Sequence, residues 1–172
     1  MQRKDLIRRI KETAYLEGDF VLRSGKRSKY YLDKYLFESQ PDILEALGSA
    51  LAELIPPDVN VLAGPELGGI PLAAALSLRT RIPFVLVRKE AKTHGTGKQI
   101  EGFLKQGDRA VIVEDVMTTG GQSLQSARAL EEAGAVVEKI VCVIDREEGT
   151  RANLEAAGYA FEPLFTKTDL GI

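Results

Sequence analysis

The fold of this chain is decided by one stretch, Val111-Ile-Val-Glu-Asp-Val-Met-Thr-Thr-Gly-Gly-Gln-Ser123. Its apolar first half predicts a buried strand that ends at two adjacent carboxylates, Glu114 and Asp115. Hydroxyl side chains follow, and the pair Gly120-Gly121 predicts the turn that opens a helix. In open α/β sheets, ligands bind outside the carboxyl ends of the strands, so we expect the binding site at this turn.

The side chains of this stretch indicate which ligand it binds. Paired glycines let backbone N–H groups turn inward, and the positive end of the following helix favours a phosphate. Thr118, Thr119 and Ser123 add hydroxyl donors, whereas Glu114 and Asp115 are suited to accept hydrogen bonds from sugar hydroxyls. The pattern therefore predicts a ribose 5-phosphate pocket. The alternative is an ordinary strand-to-helix turn with acidic caps, but acids, threonines and paired glycines together exceed what capping requires.

Strands and helices alternate on both sides of this stretch. The predicted strands are residues 59–63, 82–87, 109–113, 136–144 and 159–165, and the helices between them are residues 71–78, 123–133 and 152–157. Such alternation is typical of βαβ units and of a parallel sheet covered on both faces. The fold class is therefore predicted to be α/β.

The first forty residues follow a different pattern. Apolar residues at helical spacing predict a helix that ends near Gly18. Two apolar runs around the polar turn 24–28 then predict a hairpin or an extended lid, and Pro41 opens a second helix. At 172 residues, the chain is expected to be a single domain, with a hood of about residues 1–40 and a core of residues 41–172.

Composition excludes several classes of protein. The hydrophobic fraction of 44% and the charged fraction of 28% are typical of globular proteins. A net charge of −2 is unlike a general nucleic-acid binder, so we expect no nucleic-acid partner. One cysteine, Cys142, and one histidine cannot form a disulfide or a Cys/His zinc site. With no signal peptide or membrane span apparent, a cytoplasmic protein without a membrane partner is expected.

A second group of charges follows the strand at residues 82–87. The segment Arg88-Lys-Glu-Ala-Lys-Thr-His-Gly-Thr-Gly-Lys98 holds four cations and the histidine, interleaved with glycines. Such a loop suits a diphosphate and can close over it, although a solvated basic loop is the alternative. A Walker A motif is excluded because Gln99 stands where Ser or Thr is required, and the glycine spacing also fails the dinucleotide fingerprint.

The stretch from Val111 to Ser123 resembles the binding motif for 5-phospho-α-D-ribosyl 1-diphosphate (PRPP) of the type I phosphoribosyltransferase family. The resemblance implies that family's fold, a mostly parallel twisted sheet flanked by helices, with a small N-terminal hood and a long mobile loop. It also implies that PRPP is bound by Arg88, Lys89, Lys92, His94, Glu114, Asp115, Val116, Met117, Thr118, Thr119, Gly120, Gly121 and Gln122. Among these, the implied catalytic residues are Lys89, Lys92, His94 and Asp115.

The basic segment is similar to the catalytic loop of the orotate phosphoribosyltransferases in that family, which closes over the diphosphate and reaches into the partner subunit's site. Two further segments, residues 20–33 and 145–149, resemble the hood and the base-binding segment of the same enzymes. A planar guanidinium matches a carboxylate, so Arg146 is the expected selector of orotate. The implied orotate-binding residues are Arg23, Tyr31, Leu32, Thr118 and Arg146.

The resemblance implies a reaction: orotate and PRPP give orotidine 5′-monophosphate and diphosphate, in de novo pyrimidine biosynthesis. It further implies a homodimer, and Mg²⁺ bound mainly through PRPP, with no metal-ligating residues expected from the protein. The alternatives are a purine phosphoribosyltransferase, because the PRPP motif is shared across bases, and a PRPP-sensing regulator of the same fold.

A fourth segment, residues 64–71, resembles the family's loop near the diphosphate. That loop commonly carries a lysine at the position that Gly68 occupies here. We expect the basic loop to supply the missing charge, with backbone N–H groups of Gly68 and Gly69 as a further source of donors.

Overall fold

The structure, a computed structural model, describes residues 1–21, 25, 27–90 and 98–172. Its strands are β1 (Tyr15–Val21), β2 (Arg27–Leu32), β3 (Val61–Pro65), β4 (Phe84–Val87), β5 (Ile100–Glu101), β6 (Arg109–Met117), β7 (Val136–Asp145) and β8 (Phe161–Thr166). Its helices are α1 (Arg3–Ala14), α2 (Lys34–Glu38), α3 (Pro41–Ala52), α4 (Gly69–Thr80), α5 (Gly121–Glu132), α6 (Thr150–Ala156) and α7 (Lys167–Leu170).

Six strands form one sheet in the order β5-β4-β3-β6-β7-β8. All neighbouring strands are parallel except the edge pair β4 and β5. This confirms the predicted α/β class with a mostly parallel sheet. Among the described helices, none combines the length and the hydropathy that a membrane crossing requires.

The sheet is buried on both faces, which explains the continuous apolar run of β6. Val111 and Val113 point to one face, where they join a core built with α1, α3 and α4. Ala110 and Ile112 point to the opposite face and pack in a second cluster with residues of α5 and α6. β6 is therefore a central strand of the sheet that is packed on both faces.

The N-terminal region departs from its prediction in two places. The first helix ends at Ala14 and not near Gly18, because Tyr15 already pairs with Leu32 in the antiparallel β1–β2 hairpin. The Tyr15 ring also stacks on Tyr30, with 5.5 Å between the centroids. The short helix α2 was not predicted; Asp33 caps it by accepting a hydrogen bond from the backbone N–H of Tyr35.

The strand that decides the fold is longer than predicted. β6 continues to Met117, so Glu114 and Asp115 lie inside the strand and not in the loop after it. The ladder to β7 explains the difference, since Glu114 pairs with Cys142 and Met117 with Asp145. Carboxylates are poor strand formers, but pairing with a neighbouring strand overrides that preference. The short elements β5 and α7 were also not predicted.

Candidate active site

A cavity of about 320 Å³ opens at the carboxyl ends of the central strands. The turn after β6, the start of α5, the segment after β3 and the first residues of α2 surround it. Its lining residues are Lys34, Tyr35, Glu66, Leu67, Gly68, Lys89 and residues 114–123. The cavity therefore collects the acidic pair, the Thr-Thr-Gly-Gly turn and two lysines around one volume.

The turn after β6 is built to present backbone N–H groups. Gly120 has a left-handed backbone, with φ of +80°, and α5 begins at Gly121. Helix α6 holds the turn from behind, because Thr150 Oγ1 donates to the Thr118 carbonyl over 2.8 Å and Asn153 Nδ2 to the Thr119 carbonyl over 2.9 Å. The first N–H groups of α5 have no partner within the helix, so this end can bind an anion.

Glu114 is the first of the two acids, and both are buried. Its side chain is buried, and its Oε1 accepts a hydrogen bond of 2.8 Å from Ser123 Oγ. Burial first, and then the charge of Asp115, raise the pKa of Glu114 to about 7, while the bond from Ser123 opposes the rise.

Asp115 forms an ion pair that the sequence did not predict. Lys34 Nζ lies 2.5 Å from Asp115 Oδ2; 32% of the lysine side chain is exposed, against 4% of the aspartate side chain. Burial lowers the pKa of Lys34, but the attraction and the hydrogen bond to Asp115 outweigh burial, and the pKa is raised. Lys34 thus holds its charge beside the acid that the sequence predicts to bind the ribose.

A third carboxyl group, that of Glu38, stands behind this pair. It is buried, and Glu38 Oε1 has no hydrogen-bond partner within the described ranges 1–21, 25, 27–90 and 98–172. Burial first, and then the charge of Asp115, raise the pKa of Glu38 to about 8. A pKa of about 8 favours the protonated form of Glu38 at pH 7, and a side-chain interaction with Asp115 contributes to the rise.

The segment after β3 closes one wall of the cavity. Gln122 Nε2 donates to the Glu66 carbonyl over 3.0 Å, and the backbone N–H of Lys89 donates to Glu66 Oε1 over 2.7 Å. The peptide bond between Glu66 and Leu67 is cis. A Cβ atom at Gly68 would lie 1.7 Å from Asp115 Oδ2, so only glycine allows the backbone this close to Asp115.

The structure brings most of the predicted PRPP residues together. The cavity is lined by Lys89, Glu114, Asp115, Val116, Met117, Thr118, Thr119, Gly120, Gly121 and Gln122. Arg88 is not among the lining residues, and its Nε is buried without a partner in the described part of the chain. Lys92, His94 and Arg23 lie outside the described residues.

The predicted orotate residues are less closely grouped. Thr118 lines the cavity, whereas Arg146, Tyr31 and Leu32 are absent from its lining. The backbone N–H of Arg146 donates to the Met117 carbonyl over 2.9 Å, which places it at the same edge of the sheet, and its guanidinium pairs with Glu148 at 3.1 Å. Tyr31 lies on the hairpin with its ring 5.6 Å from that of Phe20, and Leu32 packs against the core.

Sequence reasoning missed Lys34, Tyr35 and Glu38 as site residues. One signal was available, because Lys34 and Glu38 are four residues apart and so share a face of one helical turn.

Comparison with known proteins gives a consistent result. Residues 37–159 match the family model described as "Phosphoribosyl transferase domain". An orotate phosphoribosyltransferase of Methanocella arvoryzae is 45% identical over 167 residues, which cover 96% of this chain and 95% of that protein.

Solved structures show the same likeness. The orotate phosphoribosyltransferase of Mycobacterium tuberculosis H37Rv aligns with a TM-score of 0.90 and 31% identity over 99% of both chains. A second crystal structure of that enzyme, in complex with PRPP, aligns with a TM-score of 0.85 and 28% identity, again over 99% of both chains.

Proposed function

This chain belongs to the phosphoribosyltransferase family and, within it, to the orotate phosphoribosyltransferases; on that premise we propose that it transfers the ribose 5-phosphate group of PRPP to orotate. The products are orotidine 5′-monophosphate and diphosphate, and the reaction is a step of de novo pyrimidine biosynthesis. One observation carries the proposal: a buried acidic pair and an anion-binding turn line the same cavity.

The three parts of PRPP, its 5-phosphate, its ribose and its diphosphate, bind to different residues of the site. The N–H groups and hydroxyls of residues 118–122 bind the 5-phosphate, because this is where the helix presents its positive end. Asp115 and Glu114 accept hydrogen bonds from the ribose hydroxyls. Arg88, Lys89 and, from the basic loop, Lys92 and His94 bind the diphosphate.

Catalysis depends on charged side chains that are held at fixed positions around the substrate. As diphosphate leaves, positive charge develops on the ribose and negative charge on the leaving group. In this proposal Asp115 stabilises the positive charge, and Lys89, Lys92 and His94 stabilise the negative charge. The attacking atom is the ring nitrogen of orotate, which must be held against the anomeric carbon.

Arg146 selects the base in this proposal. Its pairing with Glu148 is partly exposed, and such pairs contribute little to stability. The orotate carboxylate can replace the Glu148 carboxylate as a bidentate partner of the guanidinium. The single domain consists of the hood, about residues 1–40, and the core, residues 41–172. The base site is completed by Arg23, Tyr31 and Leu32 from the hood and by Thr118 from the core.

Mg²⁺ is part of the proposal. Glu66, Glu114 and Asp115 offer oxygen donors of the kind that Mg²⁺ binds. Within the residues that the structure describes, however, no group of three or more His, Cys, Asp or Glu side chains is placed to hold a metal ion. We propose that PRPP oxygens supply most of its ligands. When bound, the ion neutralises charge on the departing diphosphate.

We further propose that the chain is a cytoplasmic homodimer whose basic loops are shared between subunits. The groove between α3 and α4 is lined by apolar side chains that include Leu44, Ala75 and Leu78, and Leu78 is 72% exposed. Exposed apolar surface of this kind is typical of interfaces, and it supports a second copy as the partner. Light scattering of the purified protein tests this, and a monomeric mass would contradict it.

The assay for the main proposal follows the loss of orotate absorbance with PRPP and Mg²⁺. Turnover that produces diphosphate and disappears without Mg²⁺ supports the assignment. Turnover of adenine, hypoxanthine or xanthine without turnover of orotate would assign the chain to the purine enzymes. PRPP binding without any turnover, together with salt-dependent binding of nucleic acid, would indicate a regulator.

A further inference from the structure

We propose that Lys34 binds the diphosphate of PRPP, bridging it to Asp115. This inference rests on the proposed function and assigns a role to a residue outside the family motif from Val111 to Ser123. Lys34 lines the cavity from α2, and Lys34 and Lys89 are the two cations among the described lining residues. Its Nζ is 2.5 Å from Asp115 Oδ2, so its position follows that of the acid.

The chemistry of PRPP places the diphosphate beside this ammonium group. The diphosphate is attached to C1 of the ribose, the carbon next to the one that bears the 2-hydroxyl. A carboxylate that accepts hydrogen bonds from the ribose hydroxyls therefore lies close to the diphosphate oxygens. A cation paired with that carboxylate is within reach of both groups, because an ammonium group has three donors on a flexible stem.

The local charge balance calls for such a cation. Glu66, Glu114 and Asp115 all line the cavity, and a diphosphate would be repelled by them. No cation can come from position 68 in this arrangement, since even a Cβ there would overlap Asp115 Oδ2. Lys34 reaches the same oxygen of Asp115 from α2, a helix that Asp33 caps, and supplies the charge from there.

Asp115 has donors other than Lys34, so the lysine can share its N–H groups with the diphosphate. Asp115 also accepts a hydrogen bond from the backbone N–H of Val116, and Glu38, whose pKa is raised beside Asp115, can donate a second one when it is protonated. When ribose hydroxyls add their donors, Asp115 remains paired although one N–H of Lys34 turns to the diphosphate. The lysine therefore need not break its ion pair to bind substrate.

The test compares two ligands that differ only at C1. Binding of PRPP and of ribose 5-phosphate is measured by calorimetry, with Mg²⁺ and without orotate, for the wild type, Lys34→Gln, Lys34→Arg and Lys29→Gln. Lys29→Gln is the matched control, because Lys29 pairs with Asp19 at 2.6 Å on the exposed hairpin. We expect Lys34→Gln to weaken PRPP by about tenfold or more, as for one lost charge-assisted hydrogen bond, and ribose 5-phosphate by less than about threefold.

We expect Lys34→Arg to restore most of the PRPP affinity and Lys29→Gln to change neither ligand. Equal weakening of both ligands by Lys34→Gln would overturn the proposal and reduce Lys34 to a support for Asp115. Unchanged PRPP binding, or a loss confined to the KM for orotate, would overturn it as well.

Asp115→Asn and the double variant Lys34→Gln/Asp115→Asn separate the direct effect from the indirect one. The double variant leaves no unpaired charge at this pair, so it can be compared with Asp115→Asn even if Lys34→Gln alone does not fold. A PRPP-specific loss between the Asp115→Asn variant and the double variant supports direct contact with the diphosphate, and its absence contradicts that contact. Orotate turnover by the wild type decides the proposed function separately.

Discussion

Ser123 Oγ donates a hydrogen bond of 2.8 Å to Glu114 Oε1, and both side chains are buried. The bond joins the first turn of α5 to the end of β6, the two elements that flank the Thr-Thr-Gly-Gly turn. The geometry of the turn is therefore supported by its own flanking residues as well as by α6. It also gives the buried Glu114 carboxylate a hydrogen-bond donor from within the protein.

Removal of that donor tests this support. We expect Ser123→Ala to lower the free energy of unfolding by about 1–3 kcal/mol, because a buried acceptor is left without its partner. The pKa of Glu114 should rise further, since the bond from Ser123 favours the charged form. Urea unfolding and PRPP binding are the measurements. Ser126→Ala, at another buried serine of α5, is the control, and equal losses in both variants would contradict a specific role.

Glu38 predicts a pH dependence of stability. Its pKa is raised from 4.5 to about 8 in the folded protein, so between these values only the folded state holds the proton. A rise in pH then favours the unfolded state, and this contribution to the free energy of unfolding is lost as the pH passes through about 8. We expect Glu38→Gln, which is neutral throughout, to flatten the decline in urea unfolding from pH 5 to pH 8.5.

The control for this experiment is Glu53→Gln, at an exposed carboxylate that directly follows α3. It should leave the slope of the wild type unchanged. If Glu38→Gln has the same slope as the wild type, Glu38 is already ionised in the folded protein and its role in hydrogen bonding to Asp115 is wrong.

The proposed role of Arg146 predicts that its substitution weakens the binding of orotate and leaves that of PRPP unchanged. We expect Arg146→Gln to raise the KM for orotate by about tenfold or more, because a charge-assisted pair with the orotate carboxylate is removed. The KM for PRPP should stay close to that of the wild type. Arg151→Gln is a matched control, since Arg151 also pairs with a glutamate at 3.1 Å. A change in the KM for PRPP alone would place Arg146 elsewhere in the site.

Gly68 predicts a defect that is local to Asp115. In Gly68→Ala the new methyl group would overlap Asp115 Oδ2, so the carboxylate must turn away from its position. Because this moves one side chain and no core residue, we expect a fall in kcat/KM similar to that of Asp115→Asn, about 10²-fold, with a smaller effect on unfolding. Full activity in Gly68→Ala would show that Asp115 does not need its observed position.

The sequence predicted those parts of the site that are contiguous in the chain. The acids, the threonines, the paired glycines and the start of α5 all lie within Val111–Ser123, so local patterns were enough to predict them. The alternation of apolar and helical segments predicted the parallel sheet for the same reason. The ends of elements were less accurate, as at Met117, because the pairing of β6 with β7 extends the strand past its acids.

The sequence by itself determined the class of ligand, because the donors and acceptors for a ribose 5-phosphate are adjacent along the chain. Only the tertiary structure decided which charged side chains surround Asp115. Lys34 and Asp115 are 81 positions apart, and Glu66 and Gln122 are 56 apart. These contacts depend on where α2 and the segment after β3 pack against the end of β6. A local pattern carries no information about such packing, because burial sets it across the whole core.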